Sequence, residues 1–246
     1  MPKKPQVESV ADAHAAPGGA AAVDRALTLL SAFRHGDRAL SLTELAERTQ
    51  LYKSTVLRLL ASLEHAGLLQ RQRDDGRYAL GPEVARLHAI YAASFSLDAV
   101  VMPVLRALTA ATGESAAYHV RQKQGDAWVR LCMYRVDSPN MLRDHVRAGD
   151  LLPADRGAGA RVLNAFSESS GSESPADRKL FARIRAEGFV ALVGDRNTEL
   201  GGVSAPVFHA DGSLAGAVTL TMPAHRFNRS QIEPVREAAA RLSGMI

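Results

Sequence analysis

Lys53, Ser54, Thr55 and Arg58 lie close together in the stretch KSTVLRLLASLEH, and Arg73 and Arg77 follow in a basic hairpin. Hydroxyl and cationic side chains on one rod donate hydrogen bonds to phosphate oxygens and base edges, so the chemistry they suit is recognition of duplex DNA. At 100° per residue Val56, Leu59, Leu60 and Leu63 form one apolar stripe. Opposite it lie Ser54, Arg58 and Ala61, flanked by Lys53, Thr55, Leu57 and Ser62. A face this small, hydroxylic and basic fits a helix laid in a major groove. Arg25, off the apolar stripe of an upstream helix, is a further phosphate candidate.

The other reactive types point nowhere in particular. Cys132 with His119 and His145 could in principle form a thiol nucleophile, but a lone cysteine in a strand without a local signature reads as packing. His119, His145, His209 and His225 are widely spaced and form no close ligand pair, so no metal is expected. Gly157-Ala158-Gly159 lacks the rest of any dinucleotide or phosphate-loop pattern, and no cofactor is expected. An enzyme is the competing class, acting on a small molecule and using the basic half only for dimerisation. It lacks a catalytic constellation.

The elements that must position the basic face are legible around it. Ser41 with Glu44 is a capping box, so a helix starts at Leu42 and ends at Thr49-Gln50. The second helix stops at Gly67. Asp74-Asp75-Gly76 is a hairpin turn between Arg71/Arg73 and Arg77-Tyr78. Helix, turn, helix and basic hairpin together describe a winged helix-turn-helix. From Arg48 to Leu80 six basic residues (Arg48, Lys53, Arg58, Arg71, Arg73, Arg77) outnumber three acidic ones (Glu64, Asp74, Asp75). Affinity for a polyanion should therefore fall with salt.

The 246 residues carry a net charge of +4, so the chain is no uniformly basic nucleic-acid coat. Cys132 is the sole cysteine, which fits a reducing compartment. No apolar run approaches membrane length and no signal peptide is seen, so a cytoplasmic location is expected. Residues 1–20 read as a disordered arm and 21–81 as the winged domain, its first helix bearing Val23, Ala26, Leu27 and Leu30 on one stripe. Residues 82–96 read as a linking helix, with Val84, Leu87 and Tyr91 on a face that suits a second copy. Residues 97–246 read as a domain of helices around a mostly antiparallel sheet, making the chain α+β. Its expected strands are 115–121, 127–136, a weaker 141–146, 203–208 and 214–222. Its expected helices begin near 97, 157, 177 and 230, with a kink or restart at Pro103.

Over residues 21–246 the sequence resembles the IclR-type family of bacterial transcription regulators. The resemblance is carried by VDRALTLLSAF (23–33), SLTELAERTQLYKSTVLRLLASLEHAGLL (41–69), GRYALGPEVARL (76–87), TGES (112–115), RVDSP (135–139), Leu152-Pro153 and GVSAPVFHADGSLAGAVTLTMP (202–223). It implies an N-terminal winged helix, a linking helix and a C-terminal GAF-like α/β domain that binds a small effector. It also implies a homodimer or tetramer on a pseudo-palindromic operator, with effector binding shifting the placement of paired winged domains. Tyr52 and Leu57 depart from the family's usual types, and Leu57 is expected to pack on the wing rather than meet a thymine methyl. The effector site implied comprises Tyr118, Cys132, Arg156, Gly157, Ala158, Gly159, Leu192, Gly202 and Thr219. Small residues at a helix start expose backbone N–H groups to a carboxylate near Gly157–Gly159, aided by Arg156. The apolar run Val190-Ala191-Leu192-Val193 stands where relatives that bind small polar acids tend to carry an acidic residue. A roomier, apolar pocket for an aromatic or extended carboxylic acid is the resulting expectation.

Overall fold

In a computed structural model, described for residues 9–94, 97–125, 127–168 and 173–246, the chain divides into two units near residue 95. The first is built on α2 (Ala21–Ser31), α3 (Leu42–Thr49) and α4 (Lys53–His65), with β1 (Leu69–Arg71) and β2 (Tyr78–Leu80) as the wing. The capping box forms: Ser41 Oγ accepts from the Glu44 N–H, and Glu44 Oε2 accepts from the Ser41 N–H. Gln50 takes a left-handed conformation (φ 56°) to end α3, and Gly67 (φ 70°) turns the chain after α4 into the wing. Leu29, Leu45, Val56, Leu60, Leu63, Leu69 and Tyr78 close one core beneath the three helices. Leu40 bridges Tyr78 and fixes the wing to the start of α3.

Two expectations for this unit change. The inward residues of α2 are Ala26, Leu29 and Leu30, while Val23 and Leu27 are each 55% exposed. The helix meets α3 and α4 through Leu29, which rotates the 23/27 edge outward. Within the expected disordered arm, residues 1–8 lie outside the described residues. The remainder forms a short helix, α1 (Val10–Ala13), capped by Ser9 and packed on α2. From Pro82, α5 (Pro82–Ser94) exposes Leu87, Ile90 and Tyr91.

The second unit wraps helices on both faces of a six-stranded sheet of order β5-β4-β3-β8-β7-β6. Its strands are β3 (Ser115–Gln124), β4 (Ala127–Val136), β5 (Leu151–Pro153), β6 (Val190–Val193), β7 (Leu200–Phe208) and β8 (Leu214–Pro223). The pairings β3–β8, β4–β5, β6–β7 and β7–β8 are antiparallel. Strand alternation separates the two faces. Ala116, Tyr118, Val203, Ala205, Val207, Val218, Leu220 and Met222 face a core with α6 (Leu97–Thr112) and α9 (Ile232–Leu242). On the other face lie α7 (Ala158–Ala165) and α8 (Pro175–Glu187), packed through Val162, Leu163, Phe181 and Ile184. α6 runs on through Pro103 rather than restarting there.

The expected strand at 141–146 is absent; those residues form an irregular loop. Cys132 N–H donates to Asp150 O and Gly149 N–H to Cys132 O, so residues 149–153 take the edge of β4 instead. No single described helix is long and apolar enough to cross a membrane.

Candidate nucleic-acid interface and effector cavity

α4 buries Val56, Leu60 and Leu63 and turns Ser54, Leu57, Arg58, Ala61 and Ser62 to solvent. Leu57 is 47% exposed and Tyr52, ahead of the helix, 69%. Leu57 lies outside the buried core of this unit, in the exposed row beside Arg58, where an apolar group can meet a thymine methyl. Lys53 is exposed and donates from Nζ to Thr43 Oγ1 at 2.8 Å, which ties its head to the start of α3. Thr55 is half-buried. Arg58 and Arg73 are exposed, with no hydrogen bond or ion pair to any described residue.

Two of the expected DNA contacts are otherwise engaged. Arg77 donates to Ala39 O and to Glu44 Oε2 at 2.8 Å, bracing the wing against the capping box of α3. Arg25 pairs with Asp12 of α1 at 2.7 Å. The hydrogen bonds from Ser41, then Arg77, hold the Glu44 carboxyl below its ordinary value. Arg71 donates to Gly76 O and lies 5.8 Å from the ring of Tyr78, so Arg73 is the wing arginine left to reach outward.

In the second unit a cavity opens between the sheet and α7. It is lined by Gly157, Ala158, Leu192, Gly202 and Thr219, five of the residues expected from the sequence. Gly159 lies against it: a Cβ there would come within 2.7 Å of Arg130 Nη1 and 2.8 Å of Thr219 Oγ1. Gly157 caps α7 with φ 89°, a conformation that favours glycine. Three expected residues do not line the cavity. Tyr118 is one position out of phase and faces the α6/α9 core. Cys132 is sealed with Ala117 and Val146, and burial pushes its thiol up to about 12, so no thiolate nucleophile is available near neutral pH. Arg156 is turned to solvent and paired with its neighbour Asp155.

The walls also differ from the apolar chamber expected. Arg130, Arg135, Asp144, Asp195, Arg196 and His119 line them together with Thr219 and Thr221. The space open to the centre of a water molecule is about 30 Å³, room for about two waters. Asp195 and Arg196, on the turn between β6 and β7, close it. Asp195 accepts from the Gly157 N–H at 2.5 Å and from Arg161 at 3.0 Å. Arg196 pairs with Asp144 at 2.9 Å, and Asp144 also pairs with Arg135. Leu192, from the apolar run 190–193, is a single lining residue of that run. The polar lining comes instead from β3, β4, β8, the loop at Asp144 and the 195–196 turn, which sequence spacing does not bring together.

Arg130 is the missed residue of most consequence. It is 4% exposed, makes no hydrogen bond or ion pair with any described residue, and its Nε is buried without a partner. Burial, then the neighbouring Arg196, lowers its guanidinium to about 10. Its Nη atoms reach toward Gly157 and Gly159. There the first N–H groups of α7 carry the positive end of the helix dipole. Asp195 already accepts from the Gly157 N–H, and the Arg130 guanidinium approaches the same helix start without an ion pair of its own. The signal was present in AWVRLCMYRV, where an arginine interrupts an apolar strand run. No group of three or more His, Cys, Asp or Glu side chains that could hold a metal occurs among the described residues.

Residues 22–73 match the IclR helix-turn-helix domain. The glycerol operon regulatory protein of Streptomyces coelicolor is 28% identical over 236 residues, covering 89% of this chain and 91% of that protein. A solved structure from Silicibacter, assigned as an IclR transcriptional regulator, is 27% identical with a TM-score of 0.76, covering 91% of this chain and 95% of the other. An IclR homolog from Microbacterium hydrocarbonoxydans, solved with 4-hydroxybenzoate, shares the fold at 20% identity and a TM-score of 0.78, covering 90% of this chain and 97% of the other.

Proposed function

Because this chain belongs to the IclR-type family of bacterial transcription regulators, we propose that it is a regulator, not an enzyme, whose operator affinity responds to a small organic acid held in the C-terminal unit. The observation that carries the DNA half is the exposed row Ser54, Leu57, Arg58 and Ala61 on α4, backed by the buried stripe Val56, Leu60 and Leu63. α4 enters the major groove; Ser54, Thr55 and Arg58 meet bases or phosphates, Lys53 a phosphate, and Arg73 of the wing the adjoining backbone. Arg25 and Arg77 serve this surface by holding α1 and the wing in place.

The functional unit is a homodimer or tetramer on a pseudo-palindromic operator. Its support is the row of large apolar side chains left exposed in the first unit: Val23 and Leu27 on α2, Leu87, Ile90 and Tyr91 on α5. The effector is a carboxylic acid, its carboxylate placed at the start of α7 beside Arg130. An aromatic or extended body is favoured by the 4-hydroxybenzoate in a relative of the same fold. For such a body to enter, the Asp195–Arg196 turn has to open. Coupling of this kind is worth roughly 1–3 kcal/mol, a ~5–150-fold change in operator affinity.

The test is anisotropy titration of a DNA duplex selected in vitro against the full chain, with and without a panel of short 2-oxo acids and aromatic acids. Sequence-selective binding that an aromatic acid shifts supports the reading. Absence of selective DNA binding defeats it, and a response to short acids alone defeats the aromatic or extended class.

A further inference from the structure

The cavity holds a polar relay whose direction can be worked out atom by atom. Ser204 Oγ lies 2.9 Å from Val218 O, which can only accept, so the Ser204 hydroxyl proton is committed there. Thr219 Oγ1 lies 3.0 Å from Ser204 Oγ and must therefore be the donor of that pair. His119 Nδ1 lies 3.2 Å from Thr219 Oγ1. With the threonine proton spent on Ser204, Nδ1 carries the hydrogen and donates. Burial, reinforced by Arg130, Arg135 and Arg196, keeps the ring neutral by lowering its proton affinity well below 6.5. A neutral ring with its hydrogen on Nδ1 leaves Nε2 as a bare acceptor, and Nε2 is buried without a partner.

The charges on the cavity wall point the same way. Its cations are Arg130, Arg135 and Arg196 and its anions Asp144 and Asp195, an excess of one positive charge. Arg135 and Arg196 are paired with Asp144, and Asp195 with Arg161. Arg130 is the lining cation that makes no ion pair with any described residue, and its Nη atoms reach the start of α7, whose Gly157 N–H is held by Asp195.

We propose that the effector is a singly charged hydroxy acid whose carboxylate pairs with Arg130 and whose hydroxyl group donates to Nε2 of His119. This rests on the effector reading above and narrows it. A ligand oxygen without a hydrogen, as in an oxo acid or an ether, faces the Nε2 lone pair and is rejected. A second carboxylate finds no further unpaired cation, because Arg135 and Arg196 are held by Asp144 and Arg161 by Asp195. Thr219 and Ser204 are positioning residues: they set which ring nitrogen is bare.

The first measurement needs no ligand. In the full chain labelled with 15N-histidine, the imidazole nitrogens of His119 should report a hydrogen on Nδ1 and none on Nε2 near neutral pH; the opposite tautomer, or a charged ring, overturns the proposal. Calorimetry then compares two matched series, 4-hydroxybenzoate with 4-methoxybenzoate and benzoate, and lactate with 2-methoxypropanoate, pyruvate and malate. In whichever series binds, the hydroxy monoacid should bind roughly a hundredfold tighter than its ether, or for lactate than pyruvate or malate, since a site built around a hydroxyl donor discriminates strongly against analogues that lack it. Thr219→Val should erase that preference while acids still bind, and Arg130→Met should weaken every acid by roughly tenfold or more. Acids that bind without preference for the hydroxyl overturn this proposal and leave the effector reading standing. If no acid in either series binds, the effector reading itself falls and takes the proposal with it. Thermal melting and DNA titration of each variant separate loss of recognition from loss of fold.

Discussion

Arg58 and Arg130 set the two units side by side. Arg58 stands in water on an exposed helix face, where its charge is solvated and free to meet a large polyanion. Arg130 is buried without an ion pair to any described residue, and its lowered proton affinity records the cost of that burial. A duplex is too large to be enclosed, so its reader has to be an exposed row of side chains over a rigid core. A small acid can be enclosed, so its reader can be charges and lone pairs held unsatisfied inside the fold. On the proposed function, the first unit keeps its reading face on the outside of a complete core, and the second keeps polar groups inside its fold for a ligand to satisfy.

The largest effect that probes this difference is a core deletion in the first unit. Leu60→Ala removes a fully buried side chain beneath α4 and should cost about 2–5 kcal/mol in urea unfolding. Operator binding should weaken with it, while calorimetric acid binding by the second unit is unchanged. Loss of both together would mean that the two units do not fold separately. Next in size is Arg58→Ala, expected to weaken operator binding by about 1–3 kcal/mol with no change in the melting temperature. An unchanged titration would remove α4 from the interface.

The second unit should betray its buried histidine through pH. Folded His119 is held neutral, whereas the unfolded chain restores its ordinary value near 6.5. Below that pH the unfolded state takes up a proton that the folded state refuses, so stability is level above pH 6.5 and falls as the pH drops. The limiting slope for one proton is about 1.4 kcal/mol per pH unit. Urea titrations at acid and neutral pH should show this slope in the second unit and lose it in His119→Phe. A slope that persists in the variant assigns the effect elsewhere.

What the sequence disclosed follows the same division. The first unit was legible almost to the residue because its signals are local: Ser41 and Glu44 cap α3, Gly67 ends the turn after α4, and Val56 to Leu63 keep one helical stripe. Its errors are those of rotation and reach: Val23 and Leu27 face outward, and Arg77 spends its donors on Ala39 and Glu44. In the second unit the longer strands and the helices were readable by period; the 141–146 segment was not, its place beside β4 going to residues 149–153, and β6 was read only as an apolar run and not as a strand. The start of α7 was readable too, because glycines mark it. The charged lining was not. Arg130, Asp144, Asp195 and Arg196 meet through tertiary packing alone, and a phase error of one residue on β3 put Tyr118 where His119 stands.

The smallest predicted effect is the sharpest test of how the first unit meets its partner. Lys53 is exposed and its head is already held by Thr43 Oγ1, which places a point charge at the entry of α4 rather than over its middle. A charge there meets a phosphate and carries no sequence information. Lys53→Ala should therefore weaken selected and unselected duplexes alike, and the slope of log affinity against log salt should shrink by about 0.9 for the one lost phosphate contact. Arg58→Ala, by contrast, should cost more on the selected duplex than on the unselected one. If Lys53→Ala discriminates between the two duplexes while its salt slope stays put, then Lys53 reads a base. The groove would then be entered from the start of α4, and the row centred on Arg58 would have to give up its place as the reading face.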